Sequence, residues 1–305
     1  ILVDLSSRYY GTETVRQFIP PLHAWADFLL SMRQNGTVRY YHYGDWLQPG
    51  KGASDHIVSE MAAGFNSLMA VDVASKFGDH ATRSRFSAEF DAMRRAFHEN
   101  YWNDTLSAFA DGSQAPQIFA LHWGGLSTRQ ENAALSSLLH SLESNGLGTG
   151  IIATKWLFPL LSKYGQTALG LRLASNSAFP SWGYMLAKGA TTIWEHWDIY
   201  HNPDGDSMSS HNHPAFTSIG AWYYTDLVGI RSDRVPIELG PTLDAYDDLL
   251  PAASGNLMLS SGLVEVRWQM RPSAVAISGV CPSPCVVRVP LNDMDFATAK
   301  AQLKA

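Results

Sequence analysis

Residues 1 to about 230 repeat apolar positions at steps of three and four, the spacing that predicts amphipathic helices. In the segment TVRQFIPPLHAWADFLLSMRQNG the apolar positions are Val15, Phe18, Leu22, Trp25, Leu29 and Met32. They predict one buried helix face. The pair Pro20-Pro21 predicts that this helix starts after the prolines or bends there, because proline lacks the amide hydrogen that a helix interior needs.

More helices are predicted downstream, separated by residues typical of helix ends. The segments are SDHIVSEMAAGFNSLMAVDVASKFGD, HATRSRFSAEFDAMRRAFHENYW, STRQENAALSSLLHSLES, ATKWLFPLLSKYG, QTALGLRLASN and HPAFTSIGAWYYTDLVGI. Ser54 or Asp55 is the expected N-cap of the first segment and Gly78 its end, and Ser127 with Gln130 resembles a capping box. The expected buried stripe of the second segment is Phe86, Phe90, Met93 and Phe97. About seven helices in pairs, without a sequence repeat, predict a toroid of helical hairpins with its active face on the joining loops.

From about residue 231 the apolar pattern changes to short runs with strand-like alternation, broken by Gly, Pro and Ser. The runs are VPIEL, NLMLSSGLVEVRWQM, AVAISGV and CVVRVPL. The pattern predicts a mainly α chain, with a helical domain over residues 1–231 and a small β-sandwich domain over residues 232–305. The tail FATAKAQLKA is expected to be weakly helical or frayed.

The charge balance excludes a nucleic-acid-binding role. The chain of 305 residues has 22 Lys and Arg against 28 Asp and Glu, a net charge of −6, without a basic cluster. It also lacks an unbroken apolar run of some 18 residues, so a membrane helix is not expected. Ten tryptophans, several beside acids or glycines, are typical of clefts that stack on sugar rings, although large cores also use tryptophan.

Cys281 and Cys285 are too few to form a zinc site and are compatible with a tight disulfide or with two buried thiols. The triplets starting at Asn35 and Asn103 match the glycosylation pattern and are compatible with secretion, as a disulfide would be. The location of the protein is otherwise left open.

The segment YYHYGDWLQPG places Asp45 next to Trp46 in a glycine-flanked loop. An acid beside an exposed tryptophan could bind a sugar hydroxyl while the ring stacks on the sugar. The alternative is structural, with Asp45 capping a turn and Trp46 filling the inside of the barrel. Both interpretations remain open on spacing alone.

The segment GATTIWEHWDIYH places one acid, Glu195, between two tryptophans and two histidines. Its β-branched start is poor helix material and predicts an extended or loop conformation. The aromatic neighbours would desolvate the carboxylate and tune its basicity, as expected of a catalytic acid or base. A buried glutamate paired with Arg or His is the alternative.

The segment SSHNHPAF is expected to open the last long helix, with His211 and His213 at or before its N-terminus, where a neutral imidazole is favoured. A metal site of these histidines and Glu195 has no further ligand motif, so neither a metal nor a cofactor is expected. NPDGDS, residues 202–207, lacks the full spacing of a calcium loop and predicts a turn.

Four segments in this order, GDWL, TGIIAT, PSWGYMLAKGATTIWEHW and SHNHPAFTSIGAWYYTDLVGI, resemble glycoside hydrolase family 78, the α-L-rhamnosidases. The resemblance implies an (α/α)6 barrel with a C-terminal β-sandwich and inverting hydrolysis of terminal α-L-rhamnosides. It makes Glu195 the general base, His213 a contact to the sugar and Trp46 an aromatic residue of the rhamnose pocket. Asp45 and Trp182 are carried over as further substrate contacts.

The chain departs from the family pattern in its acids. An inverting glycosidase uses two carboxyl groups about 6.5–9.5 Å apart, and the family's general acid lies in a motif resembling D-x-x-x-R-D-E-R-x-G-W, which does not occur here. About seven long helices also fall short of twelve. The expectation is an N-terminally incomplete barrel, completed by a missing N-terminal segment or another chain.

Two alternatives to a rhamnosidase stay open. One is a non-catalytic rhamnose- or glycan-binding fragment that lacks the general acid, and the other is a different (α/α)6 glycosidase or epimerase. For the rhamnosidase and for the binding fragment, the expected ligand is a rhamnose-containing glycoside or polysaccharide. Neither nucleic acid nor a membrane is an expected partner.

Overall fold

The structure is a computed structural model that describes residues 12–38, 44–49, 55–200, 210–232, 236–242, 249–271, 274–282, 284–288 and 300–304. Its internal contacts form two compact units. The first unit is Arg16–Trp156, and the second is Ile1–Val15 together with Leu157–Ala305.

Helices account for most of the described residues before residue 230. The α-helices are α1 (Thr12–Val15), α2 (Ile19–Ser31), α3 (Asp55–Lys76), α4 (His80–Tyr101), α5 (Gln114–Trp123), α6 (Thr128–Asn145), α7 (Ile151–Lys163), α8 (Thr167–Ser175), α9 (Trp182–Ala187) and α10 (Ile219–Trp222). A 3-10 turn, Arg16–Phe18, precedes α2, and a π-helical turn, Tyr223–Val228, follows α10.

Helix α2 begins at Ile19 and takes Pro20 and Pro21 into its first turn, so the predicted start after the prolines is wrong. Proline is tolerated there because the first amide groups of a helix have no intrahelical partner. The helix buries Leu22, Ala26 and Leu29. The prediction that Trp25 is on the buried face is wrong, because 44% of its surface is exposed.

The predictions for α3, α4 and α6 are largely confirmed. Helix α3 ends at Lys76, two residues before Gly78, whereas its expected cap Ser54 lies outside the described residues. Helix α6 begins with the full capping box of Ser127 and Gln130. The buried side chains of α4 are the predicted Phe86, Phe90, Met93 and Phe97.

Aromatic side chains form much of the core of the first unit. Trp123, at the end of α5, makes edge contacts with Phe65, Phe90 and Phe97. Phe97 in turn packs on Phe109, with the ring centroids 5.8 Å apart. Helices α3, α4 and α5 therefore share one aromatic cluster.

The helix over His56–Lys76 is long and apolar enough to cross a membrane by length and composition alone. In this structure 61% of that window is buried. A core helix of a globular protein passes the same test, so the expectation that the protein has no membrane partner stays a prediction.

The last helical segment is shorter than predicted. Helix α10 begins at Ile219, so His211 and His213 do not lie at a helix N-terminus. Pro214 begins a turn instead, because its carbonyl accepts hydrogen bonds from both the amide and the hydroxyl of Thr217, at 3.2 and 2.8 Å.

Strands follow from residue 230, as the change of pattern predicts. Two short hairpins precede them in the first unit. The strands are β1 (Arg33–Gln34), β2 (Thr37–Val38), β3 (Trp102–Asn103), β4 (Ala108–Phe109), β5 (Ile230–Arg231), β6 (Ile237–Leu239), β7 (Ala252–Leu259), β8 (Gly262–Arg271), β9 (Ala274–Val280), β10 (Cys285–Val287) and β11 (Lys300–Lys304). The division into domains at 231/232 stays a prediction.

The strands after residue 230 form a β-sandwich. One sheet has the order β10-β6-β5 and the other the order β11-β9-β8-β7. Both sheets contribute to one hydrophobic core, in which Leu239 of the first sheet packs with Val266 and Trp268 of the second. The prediction for the tail is wrong: Lys300–Lys304 is a strand parallel to β9, where the backbone gains the hydrogen bonds that a frayed end lacks.

The two cysteines are bonded to each other. Cys281 follows β9 and Cys285 begins β10, and the disulfide between them closes the short loop. Of the two alternatives for this pair, the disulfide is the one observed.

Candidate active site

The segment around Glu195 is held against a second irregular segment of the second unit. Residues 190–200 form neither helix nor strand, which confirms the loop prediction. The Glu195 amide donates to the Ser210 carbonyl at 3.0 Å, and the His213 amide donates to the Ile193 carbonyl at 2.9 Å. The hydroxyl of Thr192 also donates to the His211 carbonyl. Main-chain contacts therefore bring Glu195 and His213 together, although 18 positions separate them in the sequence.

The Glu195 carboxylate has two different oxygen environments. Oε2 accepts a hydrogen bond of 3.1 Å from the Ser210 amide. Oε1 lies 3.8 Å from Nε2 of His213. The Glu195 side chain is 13% exposed and that of His213 is 35% exposed, so one oxygen is held by the main chain while the pair keeps access to solvent.

The hydrogen bonds of His213 assign its tautomer. Nδ1 accepts from the Ala215 amide at 3.1 Å and must therefore carry a lone pair. In the neutral ring the proton is then on Nε2, the nitrogen that faces Glu195. His213 can donate a hydrogen bond at the same place where Glu195 can accept one.

The tryptophans that flank Glu195 are buried supports. Trp194 and Trp197 are each 2% exposed. Trp197 stacks on Phe216 with a centroid distance of 3.9 Å, and Trp194 meets Tyr200 edge to face at 5.5 Å. These rings fix the backbone on both sides of Glu195.

Trp182 lies at the start of α9 and is also buried, with 7% of its surface exposed. Its indole nitrogen donates to the Phe216 carbonyl at 3.2 Å, and its ring meets Trp197 edge to face at 4.9 Å. Ser181 caps the helix by accepting from the Tyr184 amide at 2.8 Å. A Cβ on Gly183 would lie 2.4 Å from the Asn176 carbonyl oxygen, so this helix start needs glycine.

Asp45 lies in the first unit and is 1% exposed. Its carboxylate accepts three main-chain hydrogen bonds at the N-terminus of α7, from Gly150 at 2.7 Å, Ile152 at 3.0 Å and Ala153 at 2.9 Å. Burial raises the pKa of Asp45 to about 6, against the opposing effect of these three donors. Asp45 thus anchors a helix end.

Trp46 takes part in the same anchor through its main chain. Its carbonyl accepts from the Ile151 amide at 2.9 Å, and its side chain is half-buried. The prediction that Asp45 and Trp46 contact a sugar stays a prediction.

The structure therefore groups the predicted site residues by unit. Glu195, His213 and Trp182 lie in one network of the second unit, and Asp45 and Trp46 are neighbours in the first. Glu195 and His213 face each other directly, whereas Trp182 is connected to them through Trp197 and Phe216.

Sequence reasoning missed two contributors to this network. Ser210 holds Glu195 through its amide, which leaves no trace in the identity of the side chain. Asp198 accepts from the Tyr184 hydroxyl at 2.8 Å and from the Tyr200 amide at 3.0 Å. Burial, with this hydrogen bond, raises the pKa of Tyr184. The sequence signal that could have identified Asp198 is its position three residues after Glu195.

No group of three or more metal-ligating side chains occurs among the residues that the structure describes. The segment 202–207, for which a turn is predicted, lies outside the described residues.

Comparison with known proteins identifies the family. Residues 3–227 match the model of the bacterial alpha-L-rhamnosidase 6 hairpin glycosidase domain. This chain belongs to that rhamnosidase family. The match confirms the predicted fold class, because six helical hairpins make up the (α/α)6 toroid.

Individual rhamnosidases are similar over most of the chain. The alpha-L-rhamnosidase of Streptomyces avermitilis is 27% identical over 91% of this chain and 27% of its own length. That of Alteromonas sp. (strain LOR) is 27% identical over 86% of this chain and 30% of its own length.

Solved rhamnosidase structures have the same fold. The alpha-L-rhamnosidase from Dictyoglumus thermophilum superimposes with a TM-score of 0.79 at 27% identity, over 89% of this chain and 32% of that one. The Streptomyces avermitilis enzyme complexed with L-rhamnose gives 0.77 at 26% identity, over 88% and 26% of the two chains. The chain thus spans roughly a third or less of the length of these rhamnosidases.

Proposed function

We propose that this chain serves the inverting hydrolysis of terminal α-L-rhamnose from rhamnosides, supplying the general base and part of the sugar pocket. The observation that carries the proposal is the pair of Glu195 and His213. Their Oε1 and Nε2 atoms are 3.8 Å apart, and both side chains are partly exposed to solvent. Membership of the rhamnosidase family, and the L-rhamnose bound to a structural relative, supply the substrate class.

Glu195 is the proposed general base. Its Oε2 is occupied by the Ser210 amide, so Oε1 is the oxygen that accepts a proton from water. The water oxygen then forms a bond to the anomeric carbon as the bond to the leaving oxygen breaks, and the configuration at that carbon inverts. Loss of such a base reduces rates by about 10²- to 10⁴-fold.

The other predicted residues take supporting roles in this proposal. The Nε2–H of His213 donates to a sugar hydroxyl or to the attacking water next to Glu195. Trp46 stacks on the sugar. Trp182 is buried against Trp197 and Asp45 caps α7, so in this proposal both also hold main chain in place within their own units.

The leaving oxygen needs a proton from a second carboxyl group. The motif D-x-x-x-R-D-E-R-x-G-W of the family resemblance does not occur among the 305 residues. We therefore propose that the general acid comes from a segment or chain beyond this sequence, together with the remaining hairpins of the barrel.

The test is hydrolysis of an aryl α-L-rhamnoside by the complete enzyme, in which this sequence is joined to the segment or chain proposed to supply the general acid, and by its Glu195→Gln variant. The substitution keeps the shape of the side chain and removes the base, so we expect turnover to fall about 10²-fold or more with an unchanged circular dichroism spectrum. Glu143→Gln, an exposed position on α6, is the matched control and should retain activity. Undiminished turnover in Glu195→Gln would contradict the assignment.

A second function is favoured by the same missing motif: binding of rhamnose without turnover. Calorimetry with L-rhamnose should show binding in both cases, because both functions bind the sugar. Only turnover of the rhamnoside separates them. Binding of L-rhamnose without hydrolysis, even when the segment or chain proposed to carry the general acid is present, supports the second function.

A further inference from the structure

A shallow pocket lies on the β-sandwich, apart from the residues of the proposed reaction. It has a volume of about 290 Å³ and is lined by residues of β8 and β9, with Arg267, Gln269 and Arg271 among them. This volume is just below the range for small-molecule sites, about 300–1,000 Å³. The pocket is large enough for one group the size of a sugar unit.

Strand geometry aligns the polar side chains of the pocket. Along β8, Val266 and Trp268 are buried while Arg267, Gln269 and Arg271 are exposed. Side chains of a strand alternate between its two faces, so the three polar residues share the outer face at intervals of about 7 Å. The two arginines are then about 14 Å apart along the strand.

Small residues flank this row on both sides. Arg267 lies opposite Ser254 on β7 and opposite Ser278 on β9. The same registers place an alanine on each side of Gln269. Directly opposed side chains are about 4.5–5.5 Å apart at Cβ, so larger residues here would cover the row. The outer face is therefore open to a ligand.

The two arginines differ from the paired arginines of the first unit in their electrostatic surroundings. In the first unit, Arg33 and Arg94 each pair with a carboxylate. Neither Arg267 nor Arg271 forms an ion pair or a side-chain hydrogen bond with the part of the chain that the structure describes. Among the described residues both are positive charges without a bonded partner, and Glu265 is the acid that shares their face of β8, two positions before Arg267.

We propose that this pocket binds the charged groups of an acidic polysaccharide. The planar fork of arginine matches the oxygens of a carboxylate or sulfate group. Two guanidinium groups on one strand can contact two charged groups on one extended chain. Gln269 and Ser278 offer amide and hydroxyl groups to the sugar hydroxyls between them.

Because the whole chain has a net negative charge, the attraction between an acidic polymer and this pocket must come from the two arginines themselves. A chain with an excess of acids repels a polyanion at long range, so binding depends on the arginine pair. The proposal rests on the proposed function in one respect: a polymer held on the sandwich has its rhamnose ends at a raised effective concentration near the same chain.

The experiment measures binding of three immobilised polymers by the full chain: polygalacturonate, dextran sulfate and neutral dextran. We expect binding to at least one acidic polymer, weakened by added NaCl, and none to dextran. Arg267→Glu combined with Arg271→Glu should weaken it by about 10-fold or more. The control combines Arg83→Glu with Arg95→Glu, two exposed arginines of α4, and makes the same change in net charge.

The outcomes show whether the pocket binds carboxylate or sulfate groups of the polymer. Binding to polygalacturonate identifies carboxylates, and binding to dextran sulfate alone identifies sulfates. Absence of binding to both, equal binding to dextran, an equal loss in the control variant, or tighter binding to duplex DNA overturns the proposal. A failure to bind the acidic polymers does not change the outcome of the rhamnoside hydrolysis assay, and a failure to hydrolyse the rhamnoside does not change polymer binding. The two failures are therefore distinguishable.

Discussion

Asp45 and Glu195 show how the surroundings of a carboxylate decide what it can do. Both acids stand beside tryptophans in the sequence. Three amide groups of α7 surround the Asp45 carboxylate, and almost none of this residue is exposed. Glu195 receives one amide hydrogen bond and keeps its second oxygen toward His213. Of these two acids, only Glu195 therefore has a carboxylate oxygen that faces a side chain and not a helix N-terminus.

The burial of Asp45 predicts a pH dependence of stability. Its pKa in the folded protein, about 6, lies above the ordinary value of 3.8. Because the folded protein holds the Asp45 proton more tightly than the unfolded chain does, protonation of Asp45 stabilises the fold. This stabilisation is complete below pH 3.8 and is lost as the pH rises through about 6, an effect on the order of 3 kcal/mol. Asp45→Asn has no such titration. Urea unfolding should show that the advantage of wild type over this variant is smaller at about pH 7 than at about pH 4.

The comparison with Asp45→Asn removes the contributions of other groups. His98, for example, has its pKa lowered to about 4 by burial, which acts on stability with the opposite sign, but it titrates in both proteins. A difference that stays constant between the two pH values would show that Asp45 does not titrate in this range.

At the scale of elements, the first turns of α7 and α9 fix the loops that carry the predicted residues. Helix α7 receives Asp45 at its N-terminus and α9 begins with Trp182. Both starts depend on a glycine where main chains approach closely. A Cβ on Gly150 would lie 2.2 Å from the carbonyl oxygens of Asp45 and Trp46.

Gly150→Ala is therefore expected to separate α7 from the Asp45 loop and to lower the free energy of unfolding by about 1–3 kcal/mol, as overpacking does. Thermal unfolding followed by circular dichroism measures the loss. Gly220→Ala in α10, where an added Cβ meets nothing within 4 Å, is the control and should be neutral or slightly stabilising. Equal stability of both variants would mean that the close approach at Gly150 is not required.

At the scale of the whole molecule, the β-sandwich is bonded to the end of the last helical segment within the second unit. The indole nitrogen of Trp268, in the sandwich core, donates to the Leu227 carbonyl at 2.7 Å. The Thr242 amide donates to the Asp226 carbonyl at 2.8 Å. The sandwich and the π-helical turn are therefore linked by buried polar contacts as well as by apolar packing.

Trp268→Phe should lower the free energy of unfolding by about 2–4 kcal/mol, because it leaves a cavity and a buried carbonyl without its donor. Urea unfolding followed by far-ultraviolet circular dichroism measures the change. Met258→Ala, at a position that is 63% exposed on β7, should change stability little. A Trp268→Phe variant as stable as wild type would show that the contact with Leu227 contributes nothing.

What could be predicted from sequence is what local spacing encodes. The stripe of Phe86, Phe90 and Phe97 follows the helical period, and the capping box of Ser127 and Gln130 lies within one turn. The strands after residue 230 follow from alternation. The exposure of Trp25 and the late start of α10 were missed, because periodicity does not report which face is covered or that Pro214 starts a turn.

The sequence by itself determined the helical and strand segments, the loop around Glu195 and the ordered motifs of the rhamnosidase family. Only the tertiary structure decided which groups meet. Asp45 reaches an amide 105 positions away, and Glu195 meets Ser210 and His213 across a chain reversal. The physical reason is that main-chain donors have the same chemistry at every residue except proline, so their partners are set by the path of the chain through space.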